Sequence, residues 1–570
     1  MKTERVDDMV LLASIFDKSN LSSTLDEYYP THGNWEGVSK GKIITAFMIY
    51  VLSTSDHRLS HVEQWASDRL NVLKYVLKCP DFRSKDMSDD HLGDILDVLG
   101  EDSHWSKFES AINKGIIDVY NLKPEKEVIR LDATIAQSFK DPGGLFQVGY
   151  SKQHRPDLPQ LKIMLATLDP LSMPLFSLIV SGNTSDDVLY EPIEQAVMDN
   201  LGTENLFFVG DCKMSSLKNR LFLSQNKHYY LCPLSKTQCP ETKVHEYLAQ
   251  KDDNTIESVY SKGADGKQKQ VRAKVFELDH DVLNPETGEA VKERHLVIYS
   301  PSFATSQSKS FESGLKKTEQ ELKSLFIRKQ GKARIETKEE AKLRAKEILE
   351  EHRALSFISV EIKETIKAVE MRKYGNRQPE TRQKSEFELI LSRNEAKIEK
   401  HKEVLGWRVY ATNAPKDRIS SIEAVECYRN EYKIEHKFDE LLNKITTLVP
   451  IFLQKESRII ALIRFLLLAL KFGSLIQYQA RTNLKETGQS IKELYAGNPK
   501  RATSEPTTKQ LLEAFKNITL VFFTQNNQTY AQITNLKPIH KTILQLLNLD
   551  IDTYSKINQF SFSGVYFSET

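Results

Sequence analysis

Three acidic residues stand out because of the sequence patterns around them. Asp132 lies in VIRLDATIAQSF and Asp211 in NLFFVGDCK, and both segments contain short apolar runs typical of buried strands. Glu435 lies far downstream in YRNEYKIEHKFDELL, which has helical spacing. If the fold gathers the three carboxylates, they form an oxygen-rich site for Mg²⁺ or Mn²⁺. Such a site is suited to cutting phosphodiesters, with two ions about 3.5–4 Å apart.

The elements that must position the first two acids form a mixed α/β pattern. Between about residues 126 and 235 the chain alternates short apolar runs, turn residues and helical segments. The pattern predicts the order strand, strand, strand, helix, strand, helix, strand. We predict that Asp132 and Asp211 each end a buried strand, because open α/β sheets place their sites at strand ends.

The remaining segments have different patterns. Residues 1–124 have helical spacing and predict a helical N-terminal domain, with Trp35, Trp65 and Trp105 in its core. The pattern of residues 236–405 predicts strands followed by charged helices at about 307–370. These helices could be ordinary solvated helices or an arm that embraces DNA, and both interpretations stay open. GWRVYATNAP predicts a strand, and a helix over about 418–445 carries Glu435. Residues 481–570 predict a small C-terminal region with a hairpin in ITLVFFTQNNQTYAQI.

The composition is that of an ordinary soluble globular protein. The chain has 570 residues, 40% hydrophobic and 28% charged, which argues against disorder. Lys+Arg number 79 and Asp+Glu 78, so no overall basic excess indicates nucleic acid, although binding depends on where charge lies. The five cysteines are scattered without metal-ligand spacing, which favours a reducing cytoplasm.

Neither secretion nor a membrane is indicated. The N-terminal MKTERVDDMV is charged where a signal peptide needs an apolar core. The most apolar run, IIALIRFLLLALKF at 459–472, contains Arg464 and is shorter than the roughly 20 residues that a span needs. We therefore expect a buried helix there and no membrane partner.

Several segments together resemble the DDE transposases of bacterial insertion sequences, specifically those with an insertion inside a ribonuclease H-like core. LDATIAQSF and FFVGDCKMSS match the blocks that hold the first two acids. GYSKQHRPDLPQLKIMLATLDPLSMPLFSLIVSGNTSDD is similar to the blocks between them, and GWRVYATN with YRNEYKIEHKFDELL is similar to the last strand and the catalytic helix. The resemblance covers about residues 5–235 and 400–475.

The resemblance implies an α/β fold class: a ribonuclease H-like mixed-sheet core, a helical N-terminal domain and a large α+β insertion before the catalytic helix. The implied domains are 1–124 for DNA-end binding, 125–235 with 406–480 as the catalytic core, 236–405 as the insertion, and 481–570 as a candidate for dimerisation. Asp132, Asp211 and Glu435 are then both the catalytic residues and the metal ligands, with Mg²⁺ as cofactor and Mn²⁺ as a substitute.

The third block departs from the family pattern of Tyr, two residues, Arg, three residues, Glu, six residues, Lys. Tyr428 and Glu435 have the expected spacing, but Glu431 replaces Arg and Leu442 replaces Lys. On a continuous helix, positions 428, 431 and 435 share one face. The basic contacts to DNA phosphate must then come from other residues, and the nearby candidates are Arg429, Lys433, Lys437 and Lys444.

Three more residues are candidates for DNA binding. Lys152 and Arg155, in the turn-like SKQHRP, could hold phosphate or lie in a plain solvated turn. Trp407 precedes the catalytic helix where relatives place an aromatic residue that stacks on a flipped base. Aligned on Thr412, it falls one place early, which reverses the face of a strand, so core packing is the alternative.

The resulting prediction is a bacterial, cytoplasmic and nucleoid-associated transposase. It would bind the terminal inverted repeats of its mobile element as a homodimer, nick double-stranded DNA as an endonuclease, and join the 3′-hydroxyl to target DNA in a recombination reaction. Two alternatives remain open: a metal-dependent nuclease without strand transfer, and a decayed relic that binds DNA without cutting it. Fold alone cannot separate these functions.

Overall fold

The structure is a computed structural model that describes residues 2–31, 37–151, 155–262, 268–327, 335–371, 380–525 and 528–560. It divides into two compact units, one formed by residues 1–232 and 427–570 and the other by residues 233–426. The predicted core segment 406–480 therefore begins in the second unit and continues in the first.

The chain begins with a strand and a series of helices. They are β1 (Lys2–Arg5), α1 (Met9–Lys18), α2 (Leu21–Tyr28), α3 (Lys40–Thr54), α4 (Val62–Ser67), α5 (Leu70–Val76), α6 (Asp89–Leu99) and α7 (Asp102–Val119). Trp65 and Trp105 are buried as predicted, while Trp35 lies outside the described residues. The apolar faces of the helices, spaced at three and four residues, are buried together.

The next elements follow the predicted order of strands and helices. They are β2 (Val128–Gln137), β3 (Gln160–Leu168), β4 (Met173–Ser181), α8 (Tyr190–Leu201), β5 (Phe207–Val209), α9 (Leu217–Gln225) and β6 (Tyr229–Pro233). The strands lie side by side in the order β4-β3-β2-β5-β6. The contacts of β3 with β2 and β4 are antiparallel, whereas β5 is parallel to both β2 and β6. This is a mixed sheet in an α/β arrangement.

The second unit contains both strands and helices. They are α10 (Glu241–Ala249), β7 (Glu257–Lys262), β8 (Gln268–Leu283), β9 (Ala290–Tyr299), α11 (Pro301–Lys323), α12 (Lys338–Glu351), β10 (Ile358–Met371), β11 (Glu380–Arg393), α13 (Glu395–Glu403) and β12 (Trp407–Thr412). Strands β7, β8, β9 and β12 form antiparallel pairs, and β10 pairs with β11 in a long antiparallel ladder.

The prediction of helix over residues 307–370 is wrong for its last part. Residues 358–371 form strand β10, in which apolar Ile358, Val360, Ile362 and Ile366 alternate with mostly charged or polar residues. This period of two is that of a strand, and the high density of Glu and Lys obscured it.

The last elements return the chain to the first unit. They are α14 (Ser421–Arg429), α15 (Tyr432–Asp439), a π-helical turn (Glu440–Lys444), α16 (Glu456–Thr487), α17 (Thr508–Glu513), β13 (Thr519–Gln525), β14 (Gln528–Ile533) and α18 (Pro538–Leu546). β13 and β14 form the predicted antiparallel pair. β13 also pairs with β1, so the two ends of the described chain share one sheet.

Helix α16 is much longer than the apolar run suggested. Among the described residues it is a helix long and apolar enough to cross a membrane, but 89% of its apolar window is buried inside the protein. The two cations within the apolar run 459–472 are paired: Lys471 donates to Asn113 Oδ1 at 2.5 Å, and Arg464 pairs with Asp102. The expectation of a buried helix is confirmed, although the length argument underestimated the helix.

Candidate active site

Asp132 and Asp211 are brought together by the pairing of two parallel strands. In the ladder between β2 and β5, Arg130 lies opposite Val209. Asp132 follows that pair by two residues within β2, and Asp211 follows it by two residues in the segment after β5, so the two acids leave the paired strands at neighbouring positions. β5 ends at Val209, whereas β2 continues to Gln137, so Asp132 lies within its strand rather than at its end as predicted.

Asp211 is held by two hydrogen bonds to the same oxygen. The Tyr190 hydroxyl donates to Oδ1 at 2.7 Å, and the backbone N–H of Lys213 donates to it at 2.8 Å. Burial raises the pKa of Tyr190 well above its usual value, and the charges of Asp211 and Asp132 raise it further. The phenol therefore stays protonated and acts as a permanent donor, and both carboxylates lie close to it.

Gly210 allows the Tyr190 ring to approach this turn. A Cβ at position 210 would lie 3.0 Å from Tyr190 Cε1 and 2.7 Å from Met214 Sδ. Both distances are shorter than ordinary van der Waals contact, so a side chain there would displace the ring. The tyrosine and the glycine thus cooperate to fix the orientation of Asp211, and the sequence reasoning missed both.

The helix that carries Glu435 is interrupted, which corrects the prediction of one helix over 418–445. α14 ends at Arg429 and α15 begins at Tyr432. The Cys427 carbonyl accepts Asn430 N–H at 3.1 Å and Arg130 Nη1 at 2.9 Å. The arginine thus donates to a carbonyl that, in a continuous helix, would accept a backbone N–H of the next turn. Positions 428 and 435 therefore do not share a continuous helical face.

Arg130 is the centre of a buried charge cluster beside the site. Its Nε and Nη2 both donate to Asp169 Oδ2, at 2.9 and 2.7 Å, and Lys433 Nζ lies 3.3 Å from the same oxygen. Burial opposes the charge of the guanidinium, but Asp169 raises its pKa overall. Because Arg130 precedes Asp132 by two residues on β2, the cluster joins the first acid's strand to the segment that carries Glu435.

Glu431 adds a fourth carboxylate to this neighbourhood. Burial raises its pKa, a hydrogen bond with Tyr428 opposes the rise, and the charges of Asp211 and Glu435 raise it further. Glu431 therefore lies near both of those acids, at the position where the family pattern has an arginine. Glu435 is itself exposed on α15, which contacts β2.

The donor chemistry of these residues fits a divalent metal, but the ligands are not fully assembled. Among the residues that the structure describes, no group of three or more His, Cys, Asp or Glu side chains is arranged to hold a metal ion. Asp132 and Asp211 supply hard oxygen donors at neighbouring positions, as Mg²⁺ and Mn²⁺ require.

The candidate DNA-binding residues lie in different environments. Lys437 is only 5% exposed and its ammonium contacts Glu440 and Ser474, so it does not face a duplex. Arg155 is exposed and pairs with Asp157 at 2.7 Å. Tyr428 and Arg429 are half-buried at the end of α14, and Lys152 lies outside the described residues.

Trp407 belongs to the second unit and packs against aromatic residues there. Its ring lies 5.1 Å from that of Tyr299 and 5.9 Å from that of Phe276, measured between centroids. It contributes to a cluster that includes Val297 and Val409. These contacts favour the core-packing interpretation over base stacking.

Comparison with known proteins gives a match to a family model and matches to solved structures. Residues 1–110 match a family model described as a domain of unknown function, DUF4277. The chain is also similar to a solved piggyBac transposase in a synaptic complex with hairpin DNA, at 8% sequence identity and a TM-score of 0.34. That similarity covers 89% of this chain and 79% of the other. No curated protein matches the chain.

These matches leave the function to be argued from the residues. The family model covers less than half of the chain, and a TM-score of 0.34 does not establish a common fold.

Proposed function

We propose that the chain is a DNA transposase of the DDE class, with a ribonuclease H-like catalytic core. The observation that carries the proposal is the register of β2 and β5: Asp132 on β2 and Asp211 just after β5 each follow the paired Arg130 and Val209 by two residues. Two carboxylates at such neighbouring positions can share a divalent ion, and this is the arrangement that phosphoryl-transfer sites use.

The strand order supports the same core. If strands β2 to β6 are renumbered 1 to 5 in chain order, they lie side by side in the order 3-2-1-4-5. Strand 2 is antiparallel to strands 1 and 3, whereas strands 4 and 5 run parallel to strand 1. The third acid, Glu435, lies on α15, which contacts the central strand β2. The proposed core therefore has its first acid on the central strand, its second just after the neighbouring strand and its third on a packed helix.

Asp132, Asp211 and Glu435 would hold Mg²⁺ or Mn²⁺. Bound there, the metal would activate the attacking oxygen and stabilise the leaving oxygen of an in-line displacement. Tyr190 keeps Asp211 in one orientation, and the Arg130 cluster keeps the segment of Glu435 against β2. One such site can serve both DNA nicking and strand transfer, because both are displacements at phosphorus.

The proposed partners are the inverted repeats at the ends of a mobile element and a target duplex. Holding two ends together calls for a homodimer. Tyr428, Arg429 and Arg155 remain proposed DNA contacts, together with Lys152, which precedes Arg155 in the sequence. Glu431, which replaces the family arginine, places no positive charge at the expected phosphate position, so the cations must come from neighbouring elements.

The test is an assay with purified full chain, Mg²⁺ and linear DNA that carries the repeats flanking the coding sequence. Joined products support the proposal. Cleavage without joining would instead indicate a nuclease, and a shift of intact DNA without cleavage would indicate a binding relic.

The catalytic assignment has a direct test in Asp132→Asn. We expect this variant to lose cleavage while binding of the DNA ends changes little, because the substitution keeps shape and removes one anionic ligand. Asp141→Asn is the matched control, since Asp141 is exposed in the loop after β2. Cleavage by Asp132→Asn at the wild-type rate would overturn the assignment.

A further inference from the structure

A polar cavity with aromatic walls lies in the first unit, apart from the acidic site. We call it the His57 pocket; its volume is about 750 Å³, within the range of small-molecule sites. It lies between the segment from α3 to α5 and the segment that follows the π-helical turn. Its lining used below comprises Tyr50, His57, Arg58, Trp65, Arg69 and Phe452.

Aromatic rings form much of the pocket wall. Trp65 meets Tyr50 edge to face, with their centroids 5.3 Å apart. Phe452 is 56% exposed, and its ring lies 5.9 Å from that of His57 at an interplanar angle of 32°. A phenyl ring left this accessible beside a polar cavity offers a flat face for a second ring.

Arginine side chains supply positive charge next to the rings. Arg69 lies over the Trp65 ring, with its guanidinium carbon 5.3 Å from the centroid. Arg58 is half-exposed and pairs with Asp56 at 2.9 Å. Asp56 also accepts hydrogen bonds from Tyr50 at 2.7 Å and contacts His61 at 3.1 Å, so its negative charge is shared among several donors. Arg69 does not pair with Asp56; the acidic charges that act on it are those of Asp7, Asp68 and Asp8, and Asp68 also lines the pocket.

His57 is a buried polar residue with unused hydrogen-bonding capacity. It is 4% exposed, and neither ring nitrogen makes a well-formed hydrogen bond to the described part of the chain. Burial lowers its pKa, opposed by the charge of Asp56 and by a weaker interaction with the backbone of Thr446. Buried polar groups are normally satisfied; both ring nitrogens are enclosed by protein, so a ligand would bond this imidazole once the ring turns toward the cavity.

We propose that the His57 pocket binds one unstacked nucleotide. Its base would lie against Phe452, its phosphate would meet Arg69 and Arg58, and a polar edge would bond His57. Aromatic faces combined with guanidinium groups are the surface that nucleotides of single-stranded DNA require. The inference rests on the proposed function, which supplies the nucleotide as part of a DNA strand. A free mononucleotide has the same chemistry and is the second source that the test distinguishes.

The test uses a short single-stranded oligonucleotide with a central 2-aminopurine, whose fluorescence falls when the base stacks. Full-length protein is titrated in EDTA, so that cleavage chemistry is not required. Phe452→Ala should weaken binding of the probe about 5- to 150-fold, the range of one base–aromatic stack. Because Phe452 is largely exposed, this variant should fold normally. Arg69→Gln should also weaken binding.

Two variants serve as controls. Arg501→Ala removes an arginine that lies 4.0 Å from the ring of Tyr495, a similar pair outside the pocket. Asp132→Asn removes the proposed chemistry without touching the pocket. Both should quench the probe as the wild type does.

The outcomes separate this inference from the proposed function. Quenching lost in Phe452→Ala and kept in both controls supports the pocket. If the fluorescence falls with the oligonucleotide but not with free 2-aminopurine deoxyribonucleotide, the source is a DNA strand. If the fluorescence of the free deoxyribonucleotide also falls, the pocket binds free nucleotides as well. Wild-type protein that cuts DNA but does not quench, or Phe452→Ala that quenches normally, would overturn the pocket and leave the transposase proposal standing.

Discussion

Tyr190→Phe isolates the contribution of one hydroxyl to the orientation of Asp211. The substitution keeps the buried ring and removes only the donor that lies 2.7 Å from Oδ1. A hydrogen bond to a charged group contributes roughly 1.5–3 kcal/mol. The N–H of Lys213 still donates to the same oxygen at 2.8 Å, so the carboxylate keeps one of its two supports. We therefore expect the lower end of the range, about 1.5 kcal/mol, or about a tenfold weaker metal affinity.

The assay is Mn²⁺ binding to the full chain, followed by electron paramagnetic resonance, together with the rate of DNA cleavage. The matched control is Tyr554→Phe, because Tyr554 is also fully buried and its hydroxyl donates to the Asp7 carbonyl at 2.9 Å. Both variants should lose about 1 kcal/mol of stability. Only Tyr190→Phe should lose metal affinity. Equal metal affinities in the two variants would refute the role of Tyr190 in orienting Asp211.

Two further predictions concern stability. Arg130→Met leaves the buried carboxylate of Asp169 with the Lys433 ammonium at 3.3 Å but without its two shorter guanidinium hydrogen bonds, so the free energy of unfolding in urea should fall by about 3–5 kcal/mol. A loss below about 1 kcal/mol would contradict the cluster's role. Burial raises the pKa of Asp8 to about 7, opposed by a hydrogen bond from Ser53. The folded state then binds the proton more tightly than the unfolded state, so this group's contribution to stability falls as pH rises from about 4 to about 7. Relative to Asp8→Asn, the wild type should lose up to about 1.4 kcal/mol per pH unit in that window. Exposed Asp17→Asn is the control, and parallel pH curves for the wild type and Asp8→Asn would contradict the assignment.

Local patterns predicted the parts of the site that depend on local sequence. The apolar runs before Asp132 and Asp211 gave the order of strands and helices, because alternation and helical spacing are properties of a few adjacent residues. The same reasoning could not find the break between α14 and α15. That break depends on Arg130 reaching the Cys427 carbonyl across 297 residues of sequence.

The other differences have similar causes. β10 was predicted as helix because its Glu and Lys residues obscured an alternation of apolar positions. α16 keeps the charged Arg464 and Lys471 within its apolar run because they pair with Asp102 and Asn113, which no local pattern reveals. Tyr190 was also missed, since its link to Asp211 follows from the packing of α8 rather than from spacing.

The pairing of β1 with β13 constrains the order in which the chain can fold. Asn517 N–H donates to Asp7 Oδ1 across a separation of 510 residues, next to the β1–β13 ladder. During synthesis β1 therefore has no partner until residues 519–525 have left the ribosome, whereas the unit of residues 233–426 is continuous and has all of its strands much earlier. The segment with Asp132 and Asp211 is made before that unit, and the segment with Glu435 after it. The three acids therefore cannot come together before residue 435 has been made, so a ribosome that stops ahead of it releases a product without the acidic site.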